Sequence, residues 1–429
     1  MRTSLRVVPL LIAAASLAPL FLLPSSGKST PLYATRQGMA CANCHFDPNG
    51  GGPRNSFGFS YEKNRHSLQP EESGAFKDLD LTNKVGETFP LYFGVNSRLM
   101  ALADDARDPP DGVDRFGFFQ METELHMAFQ PHPRLTLAYT TDGFGTQGNP
   151  LSGGARVTRE AWGMIGISGN SYLRAGVFRV PFGLRLDDHT TATRNGFQEF
   201  QPNGFNPVHH VLPYDPRISD EGVELGGTKD KWQGRLAYTD GGSFVFSGGP
   251  NPRAHAQAFS GKVAYVDDKY QLGVSGYDNW LPANNTGSVV RSQRWGTYAM
   301  TRRGNVAFIG EVVSGTDKLS ASAAGAPYTN INKLGYFIEG DYQLNRATNF
   351  RLRYDHLEGY RHADASNGFD RDQDSYNRYA LDGEVVPVPF CEVRWTLRLI
   401  DPVADKLAPP STVDRDTEKQ AYVQFHFSY

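Results

Sequence analysis

From about residue 88 to the C-terminus, apolar and polar residues alternate with a period of two. The alternating segments are about ten residues long and are bounded by Gly, Pro, Asn and Asp, as β-strands are. The segment 348–358 has one apolar and one charged face: Phe350, Leu352 and Tyr354 against Arg351, Arg353 and Asp355. Helical periodicity is almost absent, so the pattern predicts an all-β fold for this part of the chain.

The alternation divides this part of the chain into sixteen predicted strands. They are 88–102, 115–129, 133–142, 155–167, 171–180, 219–228, 231–239, 256–266, 269–279, 290–303, 305–314, 331–343, 348–358, 374–385, 390–400 and 419–429. The connections alternate strictly between short ones, such as 168–170, and long ones, such as 181–218. This alternation is kept from the first strand to the last.

The connection lengths distinguish two all-β folds. A soluble β-sandwich also has alternating strands, but it gives no reason for short and long connections to alternate through sixteen strands. Outer-membrane barrels have short periplasmic turns and long outer loops, and they close because open sheet edges cannot face hydrocarbon. We therefore predict a 16-stranded antiparallel transmembrane β-barrel over residues 88–429. A barrel of this size leaves a lumen that holds more than side chains, and its even strand number brings both termini to the periplasmic side.

Residues 1–27 have the layout of a secretory signal peptide. Arg2 and Arg6 precede an apolar run over 7–23, and small residues follow at 24–27. A transmembrane anchor is the alternative, but the small residues after the run favour cleavage. The net charge is −3 and no basic cluster is present, so no nucleic-acid partner is expected.

The segment 28–87 carries the most specific motif of the chain, Cys41-Ala42-Asn43-Cys44-His45. Two cysteines three positions apart, followed directly by a histidine, are typical of covalent attachment of one c-type haem. A redox CxxC motif would need a strand-turn-helix context, and a zinc site would need a second Cys/His pair, whereas the third cysteine, Cys391, stands alone. We therefore predict haem c on Cys41 and Cys44, with His45 as the first ligand of the haem iron.

His66 is the candidate for the second axial ligand, because it is the other histidine of the same segment. The alternative is an exposed loop histidine. About sixty residues are too few for a self-sufficient core, so we expect the haem segment to lie in the barrel lumen or at its periplasmic mouth. The long connection 181–218 could fold into the lumen, but its many aromatic residues favour packing on the barrel rim.

Together, a haem and a membrane barrel predict an electron conduit rather than an enzyme with its own substrate chemistry. The chain resembles the Cyc2-like family of fused outer-membrane monohaem cytochrome-porins. The similarity lies in Tyr33-Ala34, in the run from Gly38 to His45, and in Phe57-Gly58 with the aromatic residues Phe59 and Tyr61. The resemblance implies oxidation of extracellular Fe(II) and delivery of electrons to a periplasmic carrier cytochrome. The run Gly50-Gly51-Gly52 departs from the family pattern.

Two other functions fit the sequence. The first is a solute-diffusion porin with a structural haem plug, in which lumen arginines set selectivity: Arg98, Arg134, Arg351, Arg353 and Arg398. The second is a barrel scaffold that sheathes a separate multihaem cytochrome. In all three cases the expected location is the bacterial outer membrane, with lipid around the barrel.

Overall fold

The computed structural model of the chain describes residues 31–70, 80–104, 115–142, 157–186, 191–194, 211–212, 219–241, 257–281, 289–319, 330–359, 375–402 and 417–429. The predicted signal peptide and much of the long connections lie outside the described residues. Within these ranges, no helix is both long and apolar enough to cross a membrane.

Sixteen antiparallel strands, β2 to β17, form one closed barrel. They are Leu91–Asp104, Arg115–His132, Leu135–Asp142, Val157–Gly166, Ser171–Phe178, Asp220–Lys229, Trp232–Thr239, Gln257–Val266, Tyr270–Trp280, Val289–Arg303, Val306–Leu319, Asn330–Asn345, Thr348–Gly359, Ser375–Val388, Cys391–Pro402 and Glu418–Ser428. Each strand pairs with its neighbours in the chain, and β17 pairs with β2 to close the ring. A short strand, β1 (Lys84–Val85), adds to β2 beside the chain entry.

The predicted fold class is confirmed, and each of the sixteen predicted strands corresponds to an observed one. The largest difference is the end of β12, predicted at residue 314 and observed at Leu319. Long strands project beyond the region where one face meets lipid, so the alternation that identifies them fades before the hydrogen bonds end.

The two faces of the barrel wall differ in polarity. Outward-facing Trp295 and Leu352 are 69% and 67% exposed, whereas the inward-facing neighbours Arg294 and Asp355 are fully buried. Aromatic residues cluster on the outer face near the short turns, at Trp232, Tyr265 and Tyr270, and near the long loops, at Tyr336, Tyr354 and Tyr379. An apolar band between two aromatic girdles matches a bilayer.

The segment before the barrel folds into two short helices. Helix α1 spans Pro31–Gln37, a 3-10 turn spans Cys41–Asn43, and helix α2 spans Ser56–Lys63. Asn55 caps α2, because its side-chain oxygen accepts hydrogen bonds of 3.0 Å from the backbone N–H groups of Phe57 and Gly58.

The described part of this segment contacts nine strands around the circumference of the barrel. The contacts join Tyr33 to Glu384 and Glu392, Thr35 to Met300, Arg36 to Asp341, Met39 to Gln271, Asp47 to Arg174, Pro48 to Arg235, Arg54 to Asn96, and Glu62 to Ser428. Most of these barrel residues lie within a few positions of a short turn. The contacts of the segment are therefore concentrated at the end of the barrel that carries the short turns.

The described parts of the connection after β6 pack against inward-facing wall residues, so for these parts the prediction of packing on the rim was wrong. Its described parts are 179–186, 191–194 and 211–212. The backbone N–H of Leu184 donates to Glu311 at 2.7 Å, and that of Ala192 donates to Asp355 at 3.1 Å. Apolar residues of the connection also pack against inward-facing wall residues: Phe182, Ala192, Val211 and Leu212 against Tyr277, Val313 and Leu357. Inward-facing acceptors and apolar side chains thus hold this connection, which we call the constriction loop. Its histidines 189, 209 and 210 lie outside the described residues.

Candidate functional site

The motif predicted to carry haem forms a tight turn. Cys41 opens the 3-10 turn, and its carbonyl accepts hydrogen bonds of 3.1 Å from the backbone N–H groups of Cys44 and His45. The turn therefore brings the backbones of the two cysteines and the histidine together. Cys41, Cys44 and Cys391 are free thiols, so neither motif cysteine is consumed in a disulfide.

The glycine run after the motif lets the chain fold back onto it. Gly50, Gly51 and Gly52 have φ values of 89°, 71° and 64°, a left-handed conformation that favours glycine. A β-carbon on Gly50 would lie 3.0 Å from that of Cys41, and one on Gly51 would lie 2.4 Å from the guanidinium of Arg185. The run that departs from the resembled family thus has a local function in this chain, because it admits Arg185 beside the motif.

His45 is a neutral imidazole in this setting. Burial, with the guanidinium groups of Arg54 and Arg185, lowers the pKa of His45 to about 3. Its Nδ1 atom is buried and has no hydrogen-bond partner within the described part of the chain. A neutral imidazole and free thiols are the forms that bind iron and add to a haem vinyl group. This donor set therefore meets the chemical requirements of a covalently attached haem.

His66 lies at the other end of α2 from the motif. The backbone N–H of Asn55 donates to the carbonyl of Cys44, so the motif packs at the start of this helix, whereas His66 follows its end. A helix of eight residues is about 12 Å long, so the structure does not bring the two imidazoles together.

The environment of His66 nevertheless differs from that of an exposed loop histidine. The residue is 8% exposed, its ring stacks on Tyr61 with centroids 5.8 Å apart, and it contacts Tyr33 at 4.3 Å. Burial lowers its pKa, although Glu392 and Glu384 act in the opposite direction, and its buried Nδ1 has no partner among the residues described. Arg65 and His66 both have positive φ values, 57° and 55°, which is costly for residues other than glycine.

His66 also belongs to a buried ionic cluster with Glu384 and Glu392. One potential ligand atom from each of the three residues lies within 4.8 Å of the others, which could suit a metal ion. The two carboxylates already face three guanidinium groups, however. Arg394 lies 2.8 Å from Glu392, Arg36 lies 3.6 Å from Glu384, and Arg351 lies 3.9 Å from Glu384. The cluster is balanced by arginine, so a further cation would meet repulsion.

Asp47 is a site residue that sequence reasoning missed. It is fully buried two positions after His45, and it pairs with Arg174 of β6 at 3.0 Å and with Arg185 of the constriction loop at 3.1 Å. Burial alone would raise the pKa of Asp47, but the two guanidinium groups hold it below its usual value. The only sequence signal was an acidic residue beside the motif, which identifies no partner.

Comparisons with known proteins bear on the barrel. The chain has a TM-score of 0.54 with the anion-selective porin from Comamonas acidovorans, at 11% identity over 80% of this chain and 100% of that one. With the outer-membrane channel DcaP of Acinetobacter baumannii the TM-score is 0.55, at 11% identity over 80% and 97%. With Salmonella typhi OmpF in complex with daunomycin it is 0.55, at 11% identity over 81% and 100%.

The fold is that of outer-membrane porins. At 11% identity these similarities concern the fold alone. The sequence matches no protein-family model and no curated protein.

The lumen differs from an open aqueous pore. Inward-facing charged side chains near mid-barrel are exposed by 1% or less: Arg294, Glu311, Lys333, Asp355 and Arg378. Of the five arginines considered for selectivity, four lie on the inner face, Arg98, Arg351, Arg353 and Arg398, whereas Arg134 is exposed beside the β3–β4 turn. Wall charges that would face water in an open pore are instead covered by protein.

Proposed function

We propose that this protein conducts electrons across the outer membrane through one c-type haem attached to Cys41 and Cys44. His45 would be the first ligand of the haem iron and His66 the second, which requires the two imidazoles to come closer together when haem is bound. The observation that carries the proposal is the contact pattern of the motif segment, which is held by wall residues around the barrel. When bound, haem supplies one-electron chemistry without consuming a substrate.

The chain's own residues would insulate this route. Segment 31–70 and the constriction loop cover the inward-facing charges, so water and ions have little room to accompany the electron. Aromatic rings continue from the segment to the short-turn end: Phe59 lies 5.2 Å from both Phe390 and Tyr429. Because short turns face the periplasm in porin barrels, this end is where a periplasmic carrier cytochrome would exchange electrons.

The extracellular reductant is proposed to be Fe(II), on the basis of the family resemblance and of a barrel that would place its long loops outside. In this role the protein is an electron-transfer protein, and oxidation of Fe(II) would be the outer half of the transfer. The apolar outer face with its aromatic girdles supports residence in lipid.

The test uses purified protein in liposomes that enclose an electron acceptor, with Fe(II) added outside. We expect acceptor reduction with the unsubstituted protein and loss of it with Cys41→Ala and Cys44→Ala. Cys391→Ala is the matched control, since it removes the cysteine that lies outside the motif, at the start of β16. Equal transfer by the motif variants and the control would refute the conduit.

Planar-bilayer conductance separates the conduit from the diffusion porin. The covered lumen charges favour the conduit, so we expect little ion current through the intact protein. Stable current at the level of an open sixteen-stranded porin would favour the diffusion porin instead. Haem content distinguishes the conduit from the scaffold alternative. A conduit that works alone carries one haem per chain and needs no second haem protein, whereas a scaffold requires a separate multihaem cytochrome.

A further inference from the structure

A cavity lies between the motif turn and the constriction loop. About 500 Å³ is free of protein atoms when its open side is included. Asn49 from the turn, Lys262 from β9 and residues of the constriction loop line it: Arg179, Val180, Phe182, Gly183, Leu184, Arg185, Leu186, Arg194 and Leu212. The wall thus combines four cationic side chains with apolar ones.

Two of the cations in the cavity wall are only partly satisfied. Lys262 donates to the carbonyl of Gly183 at 2.5 Å and lies 4.8 Å from the ring centre of Tyr298, with no carboxylate partner among the described residues. The Nε of Arg179 is buried without a hydrogen-bond partner in the described ranges, and its ion pair with Glu160 is long, at 3.6 Å. Both side chains can therefore still bind an anion.

The charges around the cavity do not balance. Four arginines near the cavity form ion pairs with four carboxylates: Arg174, Arg179, Arg185 and Arg194 with Asp47, Glu160, Glu224 and Glu311. Two further cations, Lys262 in the wall and Arg235 beside it, form no ion pair among the residues described and donate to the backbone carbonyls of Gly183 and Pro48. Two positive charges are in excess. Buried charges without counter-charges are costly, so this arrangement favours a ligand with two negative charges.

The position of the cavity limits the chemistry of such a ligand. A β-carbon on Gly50, next to Asn49, would lie 3.3 Å from the sulfur of Cys41, so the cavity lies beside the motif. Apolar Phe182, Leu184 and Leu212 form the other part of the wall. A ligand with an apolar body and two carboxylates, attached beside the cavity, would satisfy both parts.

We propose that this cavity receives the two propionate carboxylates of the haem, with Lys262 and Arg179 as the principal donors. This inference rests on the proposed function, because it requires haem on Cys41 and Cys44. Arg185 and Arg194 contribute charge, but their hydrogen bonds are already directed to Asp47, Glu160 and Glu311. The cavity would thereby raise the reduction potential, since positive charge nearby favours the reduced haem.

The test compares the full-length haem protein with Lys262→Gln, Arg179→Gln and the double variant. Lys269→Gln is the control, because it removes the same charge from the exposed turn of the same β9–β10 hairpin. Haem per chain, reduction potential and the propionate bands in the resonance Raman spectrum are measured. We expect unchanged haem content, altered propionate bands, and a lower potential. At fixed electrode potential, the ratio of oxidised to reduced haem should rise about tenfold in the double variant, equivalent to 59 mV.

Lys262→Arg keeps the charge and should retain most of the potential, which separates lost charge from disturbed folding. Potential and propionate bands identical to those of Lys269→Gln would overturn the inference while leaving the proposed function intact. Absence of haem from the unsubstituted protein would overturn the proposed function, and this inference with it.

Discussion

Gly58 packs directly on the carbonyl of Cys44, such that a β-carbon at residue 58 would stand 2.3 Å from that oxygen. The first turn of α2 and the motif turn are therefore in backbone contact. A β-carbon there cannot be accommodated without moving one of the two elements.

Gly58→Ala should separate α2 from the motif. Overpacking of this kind typically costs about 1–3 kcal/mol, so we expect reduced haem per chain and faster proteolysis of segment 31–70. Gly234→Ala is the control, because nothing lies within 4 Å of a β-carbon there. Equal haem content in the two variants would show that the helix and the motif turn can move apart without loss of haem.

Asp47→Asn should destabilise the motif segment. Arg174 is fully buried between Asp47 and Glu224, and removing one carboxylate leaves a buried guanidinium partly uncompensated. Breaking a buried ion pair costs about 3–5 kcal/mol, which thermal unfolding followed by circular dichroism would detect. Asp80→Asn, at an exposed acid between segment 31–70 and the barrel, should change little. A similar unfolding temperature for both variants would contradict the assigned role of Asp47.

Arg36→Ala should open the short-turn end of the lumen. The guanidinium of Arg36 makes two hydrogen bonds to Asp341, of 3.0 and 2.8 Å, and both side chains are buried. Without this link α1 loses its main attachment to β13, so we expect increased ion current in planar bilayers. The control Arg303→Ala removes an exposed arginine at the end of β11. If Arg36→Ala passes no more ion current than Arg303→Ala, the other contacts of the segment are sufficient to close the lumen.

His66→Ala should change the haem spectrum without releasing the haem. Under the proposed function, covalent attachment would depend on Cys41 and Cys44, whereas the second axial ligand would decide the spin state of the iron. We expect a shift from six-coordinate low-spin to five-coordinate high-spin absorption, together with carbon monoxide binding. His132→Ala, at an exposed histidine near the β3–β4 turn, should leave the spectrum unaltered. An unaltered spectrum in His66→Ala would assign the second ligand elsewhere.

The barrel could be predicted because a strand between lipid and lumen records its surroundings in alternate residues. Phe350 and Arg351 are adjacent in sequence but face lipid and lumen, respectively. The sides that they face can be predicted from the local alternation, without knowledge of any residue distant in sequence. The motif was equally local. The rest of the site depends on partners far apart in sequence. Arg185 and Asp47 are 138 positions apart, and the sequence around each of them gives no sign that the two side chains pair.

The constriction loop was misread for a related reason. Its aromatic residues suggested packing on a rim, but its direction is decided by Glu311 and Asp355, which project inward from β12 and β14. On a strand such acids look like ordinary lumen residues. Their use as acceptors for loop N–H groups becomes visible only when the strands are arranged in a ring.

The contacts of segment 31–70 reach wall residues on all sides of the barrel, and the ring closes only when β17 pairs with β2. Because the segment is held by contacts on so many strands, it has little freedom to enter the barrel, or to rotate within it, once that last pairing has formed. Any group carried by Cys41 and Cys44 is therefore expected to be attached before ring closure. Maturation of the protein would then require a fixed order of events, in which attachment to the cysteines precedes the pairing of the last strand with the first.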